Sequence, residues 1–186
     1  MKRETRGLIL DSALVLFANK GYDGTTTEEI AKRAGVSKGL VFSYFKMKQD
    51  ILFAVVDDGM RRVLAGLDPV PSALPPEARL ERLIKTWVET IKRQPHYIRL
   101  LLQLHLRTDL SALLNERGIE FVNLYLGKLR EVFKDLGSSD PDVDCYLLGA
   151  VMDGFSLNYS AAPGLFPLEE LAKGVYARFV QKGKGT

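Results

Sequence analysis

Apolar residues recur along this chain with a helical period almost without interruption, and this restricts the fold more than any other feature. Leu10, Ala13, Leu14 and Phe17 stand at i, i+3, i+4 and i+7, one face of a helix. Helical spacing runs on through Leu52, Val55, Val56, Val63 and Leu67. It returns at Leu148, Met152, Phe155 and Tyr159, and again at Leu168, Leu171, Ala172, Val175 and Phe179. No stretch alternates apolar and polar residues convincingly, as a half-buried strand would. The chain is expected to be all-α. Lys20 and Gly21 read as a basic last turn and a left-handed cap. Four prolines in the nine residues Asp68–Pro76 force a loop. A helix from about Glu77 to Lys92 follows, and Pro95 opens another that carries Ile98, Leu101, Leu102 and His105. Thr108 or Asp109 caps a segment reaching Leu136, with Gly118 and Gly127 as weak points. Gly137–Pro141 is a turn and restart, and Ala162-Pro163-Gly164 ends the next helix. The coarse count is nine helices, three short ones before residue 47 and six longer ones after it.

The short helices have the clearest punctuation. Thr26 with Glu29 three residues on reads as a capping box, and Ile30, Ala31 and Ala34 line a helix that stops at Gly35. Ser37 is a good cap for the next helix, with Val36 before it and Val41 inside it as a hydrophobic staple. Helix, tight turn at Gly35-Val36-Ser37, helix: this is helix-turn-helix spacing. With Val41 and Phe45 facing inward, Lys38, Gly39, Phe42 and Ser43 point outward. A glycine near a helix start costs up to about 1 kcal/mol. It is explained if the backbone must approach something closely, or it is merely tolerated by packing.

Charge sharpens the division. The net +3 of the whole chain is already the balance of residues 1–50, and residues 51–186 are neutral. A basic segment on a neutral body hints at a polyanion. Residues 37–49 hold Lys38, Lys46 and Lys48 and no acid. Lys38 suits guanine N7 or O6 in a major groove, and Lys46 and Lys48 suit phosphates. Thr26 and Thr27 at a helix N-terminus also suit a phosphate. A solvated charged face is the alternative reading, and the surrounding helix-turn-helix argues against it.

Other features exclude. The 186 residues are 46% hydrophobic and 26% charged, as in a soluble globular protein. A lone Cys145 allows no intrachain disulfide and fits a reducing cytosol, so a cytoplasmic location is expected. Leu8–Ala18 contains Asp11 and Ser12, which is unlike a signal peptide. No run of about 18 apolar residues is long enough for a membrane span. Two histidines and one cysteine leave little for a metal site, and no cofactor is expected. Phosphate loops, metal-spaced histidines and nucleophile elbows are lacking, so no catalytic residues are assigned.

Residues 21–48, GYDGTTTEEIAKRAGVSKGLVFSYFKMK, resemble the DNA-binding domain of the tetracycline-repressor (TetR) family, and Arg6–Phe17 resembles the family's first helix. The resemblance implies a nine-helix architecture. A three-helix helix-turn-helix domain (1–47) would precede a helical ligand-binding and dimerisation domain (48–186). It also implies a homodimeric, ligand-responsive repressor of double-stranded operator DNA. Thr27 resembles a phosphate-contacting position, Lys38 and Gly39 base-contacting positions, and Lys48 a phosphate clamp. Phe42 replaces a usual tyrosine, so a hydroxyl is lost there, while Tyr44 could restore one. Ser43 is small where an aromatic is common. Met47 replaces a better capping residue.

One helix-turn-helix reads too few base pairs, so two must pair. Gly149, Ala150 and Gly154 admit a second helix closely, and Leu171, Val175 and Phe179 supply apolar surface. The resemblance implies a four-helix dimer bundle from these two helices, and packing within one monomer is the alternative. Trp87, His105, Phe121, Tyr125, Met152, Phe155 and Tyr159 are candidates for an apolar effector pocket, or simply for core. Asn123, Asn158 and His105 are the polar residues that would orient a ligand.

Overall fold

The computed structural model describes residues 2–67, 71, 73–105, 123–124 and 126–183. Among them are nine helices and no strand. These are α1 (Lys2–Lys20), α2 (Thr27–Ala34), α3 (Lys38–Tyr44), α4 (Lys48–Leu67), α5 (Pro76–Arg93) and α6 (Pro95–His105), followed by α7 (126–135), α8 (Pro141–Ala161) and α9 (Leu168–Gly183). Phe121, Tyr125, Thr108 and Asp109 lie outside the described residues, as does the side chain of His105.

The boundaries follow local chemistry. Gly21, Gly35 and Gly137 all take positive φ, where an L side chain would be strained. Asp140 accepts from the Val143 N–H and Pro141 opens α8, a restart after the Gly137 turn. Met47, weak as a cap, is helped from inside α4: its N–H donates to the Asp50 carboxylate at 3.0 Å. This is the return half of a capping box.

The chain forms two compact units: Met1–Arg62 with His96–Asn115, and Val63–Pro95 with Glu116–Thr186. In the first, Ile9, Phe17, Ile30, Val41, Ile51 and Leu52 join one buried cluster, each worth roughly 1.5–3 kcal/mol of burial. The face of α6 differs from expectation. Tyr97, Leu100 and Leu104 are buried, while Ile98, Leu101 and Leu102 are only partly covered. The run of three leucines left that phase ambiguous. Arg99 and Gln103 donate to the end of α1, at Asn19 Oδ1 and the Ala18 carbonyl. In the second unit α9 packs on α5 and α8. Arg79 pairs with Asp135, and Lys92 with Glu169. Phe133 of α7 meets Phe179 of α9 at 5.2 Å between ring centres.

Candidate nucleic-acid interface

Two caps and a left-handed glycine set the angle between α2 and α3. The Thr26 hydroxyl accepts from the Glu29 N–H at 3.2 Å, and the Thr26 N–H donates to Glu29 at 2.9 Å. Lys20 donates to the same carboxylate. That bond, with the Thr26 N–H behind it, holds the Glu29 carboxyl down at about 2. Gly35 at φ +68 turns the chain, and its N–H returns to α2. Ser37 then caps α3 by accepting from the Leu40 N–H at 3.2 Å. Val41 is fully buried and Val36 packs against the same core, as a staple requires.

The outer face of α3 is as the wheel predicts. Lys38, Gly39, Phe42 and Ser43 are exposed and Tyr44 is half-buried. Space lies open beside Gly39, where a Cβ would meet nothing within 4 Å. Thr27 is half-buried and Thr26 exposed at the start of α2. Lys46 is exposed just past α3. The Ser43 hydroxyl is directed inward, donating to the Leu40 carbonyl at 2.7 Å. Leu40 of α3 and Met47 just past it are also exposed, and nothing in the sequence marks Leu40 as a surface residue.

Lys48 differs from a simple surface clamp. It is half-buried, and its ammonium donates to the Tyr22 and Thr25 carbonyls at 2.7 and 2.9 Å. It also lies 4.3 Å from the centre of the Tyr22 ring. One of its three N–H donors is left for an outside acceptor. Its partners are 23 and 26 residues away, so no local pattern signals them. Lys38 carries a second unforeseen contact, to Glu28 at 3.3 Å. Arg6 stacks over Phe45 at the end of α3.

The remaining predicted residues lie in the second unit. Trp87 and Phe155 stand 6.1 Å apart between ring centres, and Phe166 joins Phe155 at 5.7 Å. Met152 of α8 is buried and Tyr159 is half-buried. A separate open cleft of about 360 Å³ between α5 and α9 is lined by Ile84, Val88, Ala172 and Tyr176, among others. Gly149, Gly154, Leu171, Val175 and Phe179 are half-buried and Ala150 is exposed. Nothing would meet a Cβ at either glycine. Beside them the outer side of α8 shows Val143, Tyr146, Leu147 and Leu157, each about half exposed or more. These four were legible. A helix apolar on nearly every side must be covered on both faces.

Residues 9–55 match the sequence model of a family described as bacterial regulatory proteins, tetR family. The HTH-type transcriptional repressor KstR2 of Rhodococcus jostii (strain RHA1) is 32% identical over 154 residues, 78% of this chain and 73% of that protein. With YuxN of Bacillus subtilis (strain 168) the identity is 42% over 55 residues, which is 30% of this chain but only 19% of that protein. Among solved structures, a transcriptional regulator from Rhodococcus sp. RHA1 aligns with a TM-score of 0.84 at 22% identity, over 97% of this chain and 96% of that one. FadR from Bacillus subtilis, solved with stearoyl-CoA, aligns with a TM-score of 0.79 at 20% identity, over 95% and 98%.

Proposed function

Because the chain belongs to the TetR family of bacterial regulatory proteins, transcriptional regulators rather than enzymes, we propose that it is a ligand-responsive repressor that binds a palindromic operator as a homodimer in the cytoplasm. The observation that carries this is the capped α2–α3 pair, which leaves Lys38, Gly39 and Phe42 outward on a short helix. Such a helix fits a major groove, and two copies related by a two-fold axis read half-sites about one turn apart or a little more. Residues 1–47 carry the reading helices and 48–186 the effector and dimer parts, with residues of α4 and α6 completing the core beneath the reader. Lys38 and Gly39 meet base edges, Phe42 a thymine methyl or sugar, and Ser43 and Tyr44 flank them. Thr26, Thr27, Ser37, Lys46 and the remaining N–H of Lys48 meet phosphates.

The dimer forms through Gly149, Ala150, Gly154, Leu171, Val175 and Phe179. The exposed Val143, Tyr146, Leu147 and Leu157 of α8 support this, since a contiguous apolar stripe on a soluble chain marks an interface. The effector is small and largely apolar, held near Trp87, Met152, Phe155 and Tyr159. The likeness to FadR, solved with stearoyl-CoA, makes a long-chain acyl thioester the first class to try, its acyl chain supplying the apolar part and its charged head lying outside the pocket. It releases the operator by binding the released state more tightly, since equal affinity for both states shifts nothing. The test is enrichment of duplexes from a random library by the full chain, then gel shift on the enriched site with stearoyl-CoA added. A palindrome and its release are expected. Enrichment of no sequence, or operator affinity unmoved by any acyl thioester at saturation, would overturn the corresponding part.

A further inference from the structure

We propose that Glu28 and Lys38 form one reading dyad for a single G·C pair, Lys38 donating to guanine and Glu28 accepting from the paired cytosine. The inference rests on the operator-binding reading above and deepens it. Glu28 sits in the first turn of α2 and Lys38 in the first turn of α3, ten residues apart, and their head groups meet at 3.3 Å. The two helix starts thereby deliver one anion and one cation to the same point. The fold does not need the contact. Both side chains are more than half exposed, at 75% for Glu28 and 53% for Lys38, and such pairs add little to stability. Nor does the capping box need Glu28, because Glu29 closes it.

Near a polyanion the arrangement is otherwise a handicap. A carboxylate beside the one ammonium on the outer face of α3 cancels its attraction to phosphate. It becomes useful where an amino group is available to it. In the major groove guanine offers O6 and N7 as acceptors, while cytosine offers the N4 amino group as donor. Lysine to guanine and glutamate to cytosine are the pairings that geometry favours. Guanine O6 and cytosine N4 are hydrogen-bonded to each other, hence about 2.9 Å apart. Two head groups 3.3 Å apart therefore match them without separating far. The dyad is also self-shielding. Away from its base pair each group neutralises the other, which disfavours non-specific DNA and sharpens discrimination.

The experiment repeats the library enrichment with full-length Lys38→Ala, Glu28→Ala and the double variant, with a melting curve for each. Both single variants should relax the same G·C pair, each by on the order of tenfold in relative affinity, and the double variant should not discriminate there. An unchanged Glu28→Ala profile with a lower melting temperature overturns the proposal and leaves Glu28 a helix-dipole residue. Relaxation at two separated pairs, or at an A·T pair, overturns it too. So does tighter Glu28→Ala binding to all sequences alike, which would make Glu28 a repulsive group only. If the unmodified chain enriches no sequence, the operator-binding reading itself fails, and that result is distinct from all of these.

Discussion

Gly59→Ala should destabilise this protein although it improves helix propensity. Gly59 lies inside α4, and alanine there would ordinarily gain about 1 kcal/mol. Tyr97 of α6 prevents it. A Cβ on Gly59 would come 1.9 Å from Tyr97 Cε2, 2.3 Å from Cζ and 2.4 Å from Cδ2. Carbon atoms rest at about 3.5–4.0 Å, so the ring must move by more than an ångström. Little room exists for that, because Tyr97 is 1% exposed and its hydroxyl donates to the Val56 carbonyl at 3.3 Å. Overpacking typically costs about 1–3 kcal/mol, and stranding the buried hydroxyl costs about 1–3 more. Set against the propensity gain, the net loss is about 1–5 kcal/mol. For a chain of this size that lowers Tm by roughly 2–20 °C. Thermal melts followed by circular dichroism measure it. In a Tyr97→Val background, which removes all three ring atoms, the same substitution should turn neutral or stabilising. A Gly59→Ala protein as stable as the parent would refute the steric argument, and so would an equal penalty in both backgrounds.

Lys48→Ala should weaken binding to all duplexes alike and flatten the log–log salt slope by about one unit. An unchanged slope would leave Lys48 only its two carbonyl contacts. Tyr146→Glu on the exposed stripe of α8 should yield monomers in sedimentation velocity, and persistence of the dimer would exclude that face. The Glu29 carboxyl, lowered from 4.5 to about 2, stabilises the fold at pH above its unfolded value, and that contribution disappears as pH falls to about 2. The Tm gap between parent and Glu29→Gln should thus be constant near neutrality and close between pH 4.5 and 2. A gap independent of pH would show that the charge plays no part. Burial pushes the Cys145 thiol up to about 11, so native protein should react with a disulfide reagent at pH 8 far more slowly than unfolded protein. Equal rates would count against that burial.

The reading helices were legible because their determinants are local. Thr26 and Glu29, Gly35, and Ser37 with Val41 each act within a few residues, where spacing is visible in the sequence. Long-range pairings were not visible. Lys48 carries the sign of a phosphate ligand, and nothing near it announces that the Tyr22 and Thr25 carbonyls take two of its donors. The same holds for Tyr97 against Gly59, and for Glu28 against Lys38 across the turn. On α8 the failure was one of emphasis. The inward stripe of Leu148 and Met152 drew attention from Val143, Tyr146, Leu147 and Leu157 on the other side.

Anyone grafting this reader onto another regulator inherits a constraint from the interleaved first unit. The core beneath α1–α3 is completed by Ile51, Leu52, Val55 and Val56 of α4 and by Leu100 and Leu104 of α6. A cassette cut at residue 47 would leave Phe17, Ile30 and Val41 facing water where those side chains belong. A working chimaera must carry the sequence through Arg62 and bring α6 with it, so recombination at a single crossover cannot transplant this operator preference intact.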